Sequence, residues 1–167
     1  MLLKQPHILL AAGNLNKLKT NLAHVIDAKA MGAIEAEINV NTVKLYTLGK
    51  DHYRFAIRQN NRSWRQKISR LYYGAYNASR AVRLCVKGEF SQDVGDHDKI
   101  GELPDDFPRR EQYRNRLKTL REDRNLCDYD HTARLADLSI GVTDCIELVE
   151  SFLKDAHSYL GNRGVKI

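Results

Sequence analysis

The stretch Ser63-Trp-Arg-Gln-Lys-Ile-Ser-Arg-Leu-Tyr-Tyr-Gly-Ala-Tyr-Asn-Ala-Ser-Arg-Ala-Val-Arg-Leu-Cys-Val-Lys-Gly88 decides the fold class. Within it Ile68, Leu71, Tyr72, Ala75, Ala78, Ser79, Val82, Cys85 and Val86 recur at the 3.6-residue period that gathers side chains on one helix face. Ser63 is a suitable N-cap and Gly88 a suitable stop. Downstream, Leu135, Leu138, Val142, Cys145, Ile146, Val149, Phe152, Leu153, Ala156 and Leu160 continue one stripe, predicting a long final helix over 132–160 capped by Thr132 or Asp130. Between these two, residues 109–125 read as a helix whose few apolar positions are Tyr113, Leu117 and Leu120. Upstream, residues 14–37 read as a helix capped by Asn14 and weakened at Gly32. Residues 41–59 read as another, crowded by β-branched residues at its start and interrupted by Gly49. Residues 89–108 read as a polar loop with a helical turn near 97–103. The expectation is an all-α bundle of four or five helices in a single domain. Residues 1–37 would form an N-terminal helical extension, 38–160 the bundle and 161–167 a frayed tail.

Composition agrees with that class. The chain has 167 residues, enough for one domain with a real core, and 43% are hydrophobic. The three cysteines, Cys85, Cys127 and Cys145, form neither a CxxC nor a Cys/His cluster with zinc spacing, so neither a metal nor a cofactor is expected. An odd cysteine count fits a reducing cytoplasm. The apolar run Ile8-Leu-Leu-Ala-Ala12 is too short for a signal sequence or a membrane span, and no membrane partner is expected.

The net charge of +6 is unevenly spread. Residues 52–88 carry nine Lys/Arg and no acid, and residues 108–124 are net +4. Residues 89–107 are net −6, and residues 125–160 are net −5. Such segregation is a footprint of polyanion binding, or the mark of acidic segments packed beside basic helices.

Chemistry concentrates in Leu120-Arg-Glu-Asp-Arg-Asn-Leu-Cys-Asp-Tyr-Asp-His131. Arg124 follows Leu117 and Leu120 at helical spacing, so it continues the apolar stripe and needs a partner or a shared interface. With Arg124 ending one helix and His131 starting the next, a hairpin would bring both to one end of the bundle. A helix N-terminus would favour neutral His131, which could take a proton from an RNA 2′-OH. Arg124 would stabilise charge building on the phosphate, and Asn125 would orient it, without a metal. Taken alone, an Arg and a His near a turn are more often a cap and a surface group than a catalytic pair. Asp128 and Asp130 read equally as salt-bridge partners of Arg121 and Arg124.

Leu71-Tyr-Tyr-Gly-Ala-Tyr-Asn-Ala-Ser-Arg-Ala81 followed by Leu120–His131 resembles the HEPN superfamily (higher eukaryotes and prokaryotes nucleotide-binding). Small prokaryotic members have a Tyr-rich helix, then a helix ending in Arg, an Asp-Tyr pair and a last helix, here Tyr72-Tyr73, Arg124, Asp128-Tyr129 and 132–160. Active members carry Arg, a polar residue and a His after four to six intervening positions, a rule that Arg124, Asn125 and His131 fit. The resemblance spans about residues 40–160. It implies a homodimer with two Arg–His motifs facing each other, forming one metal-independent endoribonuclease site. Its products would be a 2′,3′-cyclic phosphate and a 5′-hydroxyl. It also implies a toxin or phage-defence effector, with an antitoxin or other defence-system protein as a further partner. The subgroup paired with nucleotidyltransferase antitoxins has a Tyr two positions after the His, where this chain has Ala133, so that partner is not expected.

In this reading Arg124, His131 and Asn125 are catalytic, and Arg109, Arg110, Arg114, Arg116 and Arg121 contact RNA phosphates. Asp128, Tyr129, Tyr73 and His97 support the site, His97 from a loop where family members often have a His. Tyr72, Tyr73 and Tyr76 read first as packing residues, and Trp64 as a helix anchor or an RNA-stacking group. The alternative function is a catalytically inactive HEPN RNA- or nucleotide-binding module, or a helical interaction module.

Overall fold

The periodic stretch forms the central helix of the molecule. The computed structural model describes residues 12–91 and 93–167. Among these, five α-helices run α1 (Leu15–Leu22), α2 (Ala28–Arg58), α3 (Trp64–Lys87), α4 (Arg110–Tyr129) and α5 (Val142–Gly161). Short 3-10 segments cover Asn61–Ser63, Val94–Gly101 and Leu135–Asp137. The described residues contain no β-strand, in keeping with the expected all-α class. Apart from Ala12, the apolar run at 8–12 lies outside the described residues.

Helix α3 packs against α2, α4, α5 and the 94–101 segment. Its Ile68, Leu71, Tyr72, Ala75, Ala78 and Val82 are all fully buried. Gly88 ends it in the left-handed conformation at φ 66, the backbone state that favours glycine. Phe107, Tyr113, Phe152 and Tyr159 complete the main core as a set of tilted and edge-to-face rings.

Several expected boundaries move. The segment expected as one helix over 14–37 is two, because α1 stops at Leu22 and the side chain of Asp27 caps a new helix by accepting from the Ala30 amide. Helix α2 then continues to Arg58, through the break expected at 38–40, so the 37/38 division falls inside one helix. Gly49 does not interrupt it. A Cβ at Gly49 would sit 2.8 Å from the Gly74 carbonyl oxygen, so this glycine lets α2 and α3 approach backbone to backbone. We expect Gly49→Ala to lower stability by about 1–3 kcal/mol, since a fixed backbone clash outweighs the alanine's helix preference. A melting temperature equal to or above wild type would contradict that contact.

Helix α4 begins at Arg110 and runs on to Tyr129, so Arg124 lies within its last turns and not at its end. Helix α5 begins only at Val142, and residues 130–141 form a loop. Leu135, expected on the apolar stripe, is exposed. His131 therefore does not sit at a helix N-terminus, and the dipole argument for its neutral form does not apply. The loop is held by distant groups. Asp123, fully buried, accepts from the amides of Ser139 (2.8 Å) and Ile140 (2.9 Å). Arg65 donates to the carbonyls of Cys127, Asp130 and Ala133. Asp130 closes a local turn by accepting from the Thr132 amide and hydroxyl instead of capping α5. Asp123→Ala should expose the Ser139 and Ile140 amides to faster hydrogen exchange and cost about 2 kcal/mol of stability. Unchanged exchange at both amides would show that the loop is held otherwise.

The N-terminal part of the chain covers the far end of α3. Leu15 packs with Ile34, Ile38 and Leu84 in a second apolar cluster, and backbone bonds from Leu15 to Gly88 and from Phe90 to Gly13 fasten it. The acidic segment at 89–107 pairs with basic residues of α3, α4 and the C-terminal tail. Asp96 pairs with Arg83 and Arg80, Asp98 with Arg121, Asp105 with Arg110 and Asp106 with Arg163. Part of the charge segregated along the chain is thus neutralised by packing. Among the described residues, no helix is long and apolar enough to cross a membrane.

Candidate functional site

Arg124 is the centre of a built site. Its side chain is only 11% exposed, as its place on the apolar stripe requires. Nη2 donates to the Tyr73 hydroxyl at 2.6 Å, and Nη1 donates to Asn125 Oδ1 at 3.1 Å and, more weakly, to the Tyr129 hydroxyl at 3.4 Å. Nε lies 2.7 Å from Asp128 Oδ2, but its N–H direction misses the carboxylate, so this buried donor has an ion-pair partner and no aligned acceptor. The guanidinium also lies 5.2–5.4 Å from the ring centres of Tyr72, Tyr73 and Tyr129. Burial works against its charge, and Tyr73, Asp128 and Tyr129 more than offset this, raising its pKa above the ordinary arginine value. The group is a permanent cation held in one orientation.

These residues border a cavity of about 800 Å³ between α2, α3, α4 and the segment after α3. Arg124, Asn125, Tyr129, Tyr73, His97 and Arg121 all line it. Asp128 reaches it through Arg124. Six of the residues expected at the site therefore meet at one place, drawn from three separate parts of the chain.

His131 is not among the lining residues. It is exposed in the turn after α4. Arg109, Arg110, Arg114 and Arg116 also lie away from this cavity. Arg109 has the left-handed conformation at φ 53 and is held by Asp155 at 2.6 Å. Arg110 pairs with Asp105 and Glu111 and donates to the Leu103 carbonyl. Arg114 is half exposed, with Glu111 as a loose partner at 3.8 Å, and Arg116 is half-buried. Trp64 stacks on Arg65, consistent with a helix-start anchor.

The lining residues that were not expected at the site include His52, Asn77 and Arg80. Tyr73, Tyr76, Asn77 and Arg80 stand at i, i+3, i+4 and i+7 of α3, so a search for a polar stripe on the Tyr-rich helix could have found the last two. His52 sits 5.6 Å from the Tyr73 ring and 3.5 Å from Arg70. Burial and then the Arg70 charge lower its pKa against the opposing effect of Asp51.

The loop carrying His97 is pinned by its neighbour. Asp96 is 2% exposed and accepts from both terminal nitrogens of Arg83, at 3.0 and 3.1 Å, and from the Tyr76 hydroxyl at 2.8 Å. Burial alone would raise its carboxyl pKa, but the Arg83 hydrogen bonds and charge, with Tyr76 and Arg80, hold it below the ordinary value. Burial likewise pushes the Tyr76 phenol up to about 12. Burial first, and then the charge of Arg124, lower the His97 pKa.

The arrangement offers a fixed cation, two neutral-leaning imidazoles, phenols and two amides around a cavity wide enough for a nucleotide-sized group. No group of three or more His, Cys, Asp or Glu residues able to hold a metal occurs among the described residues. In comparisons with protein-family models, curated proteins and solved structures, none matches this chain.

Proposed function

We propose that the protein is a metal-independent endoribonuclease of HEPN type, active as a homodimer on single-stranded or looped RNA. The observation that carries this reading is the caged Arg124 guanidinium at the wall of an open, aromatic-lined cavity. A half-buried cation held by Tyr73, Asn125 and Asp128 is preorganised for charge that develops on a phosphate. In this reading His131 takes the proton from the 2′-OH, the oxygen attacks the adjacent phosphate, and Arg124 stabilises the phosphorane. A 2′,3′-cyclic phosphate forms as the bond to the 5′-oxygen breaks. That oxygen takes up the proton held by the His131 imidazolium and leaves as a 5′-hydroxyl.

His131 lies outside the cavity lined by its own Arg124, and Tyr129 beside it is 74% exposed. Both features suit a site completed by a second copy, in which the His131 turn of one protomer faces the Arg124 cavity of the other. The role of toxin or defence effector, a cytoplasmic location and an antitoxin or other defence-system partner belong to the same reading and rest on the resemblance. The test is to incubate the purified protein with a labelled RNA in EDTA. Cleavage with a cyclic phosphate terminus, abolished when the 2′-OH at the cut is replaced by hydrogen, is expected. An intact RNA after long incubation, or cleavage of the 2′-deoxy substrate, would refute it.

The separation of His131 from Arg124 also favours a second reading, a catalytically inactive module that binds RNA or a nucleotide through the Arg124 cavity. Salt-dependent RNA binding without any cleavage is its signature.

A further inference from the structure

The cavity holds an imidazole whose proton position is set by the fold. Tyr72 is fully buried, and its hydroxyl meets His97 Nδ1 at 2.6 Å. No other acceptor for that hydroxyl occurs among the described residues, and a buried O–H requires one. Burial raises the Tyr72 pKa, so the phenol keeps its proton. Tyr72 therefore donates, Nδ1 accepts, and in the neutral ring the remaining proton is on Nε2. The ring stacks on Tyr76 at 4.4 Å and 19° between planes, and its loop is anchored by the buried Asp96–Arg83 pair. His97 and Arg124 both lean on Tyr72 and Tyr73 and line the same cavity. A rigid neutral N–H donor beside a fixed cation is suited to a phosphate, whose several oxygens need more than one donor.

We propose that His97 is a substrate-binding residue that donates its Nε2–H to a non-bridging oxygen of the RNA phosphodiester held by Arg124, with Tyr72 as the positioning residue that sets the tautomer. This rests on the reading of the cavity as an RNA site. It makes no use of His97 as a base, since the pinned tautomer leaves no lone pair on Nε2.

The experiment uses the full chain and a fluorescent RNA with 2′-O-methyl groups throughout, which cannot be cleaved, so binding and cleavage are read apart. His97→Ala is expected to weaken binding of this RNA about tenfold, the loss of one hydrogen bond to a charged group. His97→Gln, whose amide N–H can take the place of Nε2–H, should recover most of it. Long-range proton–nitrogen NMR on the free protein should show the Nε2–H form in wild type and a loss of that preference in Tyr72→Phe. Wild-type affinity in a folded His97→Ala protein, or an Nδ1–H tautomer in wild type, overturns the proposal even where RNA is cleaved. Binding that depends on His97 without cleavage of ordinary RNA upholds the proposal and removes the nuclease reading. A wild-type protein that binds no RNA overturns both.

Discussion

Arg124→Ala is expected to slow RNA cleavage by about 10²–10³-fold, the loss seen when one preorganised donor to a developing oxyanion is removed. The side chain is 11% exposed, and its orientation is set by Tyr73, Asn125, Tyr129 and Asp128 together. Arg124→Lys should restore little. An ammonium keeps the charge but cannot span Tyr73 on one side and Asn125 on the other with a planar fork. The fold should survive either change, because Asp128 remains partly exposed and the pair is a short-range helix contact. The control is therefore a melting curve within a few degrees of wild type beside a lost cleavage activity. Retained cleavage in a well-folded Arg124→Ala protein would remove the central cation from the chemistry.

The largest effect on stability is expected at Asp96, where substitution by Ala should cost about 3–5 kcal/mol. Arg83, 3% exposed, would keep its charge with no carboxylate beside it. In a domain of this size such a loss lowers the melting temperature by roughly 10 °C. The same carboxylate predicts a pH dependence. Its folded-state pKa lies below the ordinary value, through Arg83, Tyr76 and Arg80 acting against burial. The unfolded state then binds the proton more tightly. The stabilisation is complete above the unfolded pKa near ~3.9 and is lost as pH falls through the lower folded value. Thermal melts between pH 3 and 7 should show this acid-side loss in wild type and less of it in Asp96→Asn. A melting temperature for Asp96→Ala within about 2 °C of wild type would show that Arg83 finds another partner. Because Asp96 also fixes the loop bearing His97, the variant should weaken RNA binding as well.

Much of this site is legible in the sequence where a local period carries the information. The stripe through α3 and the Tyr113–Leu117–Leu120–Arg124 series both mark inward faces, and Arg124 is largely covered, at 11% side-chain exposure, as its spacing requires. Periodicity fails where distant groups decide. Residues 130–141 continue an apolar pattern, yet Asp123 and Arg65 take their amides and carbonyls out of a helical ladder. That moves His131 from an expected helix end to an exposed turn. Gly49 reads as a helix breaker, whereas its partner is the Gly74 carbonyl of α3. The entry of His97 into the Arg124 cavity depends on the Asp96–Arg83 pair and on Tyr72, 25 positions earlier in the chain, contacts that no local pattern encodes.

The central claim, an Arg124 cavity completed by His131 of a second copy, is tested most directly by mixing two inactive proteins. Arg124→Ala and His131→Ala are purified separately, each expected to be inactive, then mixed under conditions that exchange subunits. A mixed dimer holds one intact Arg124 and one intact His131 on opposite protomers. The account predicts that cleavage in EDTA returns on mixing, in proportion to the fraction of mixed dimers. Mixed dimers that form and remain inactive would contradict it.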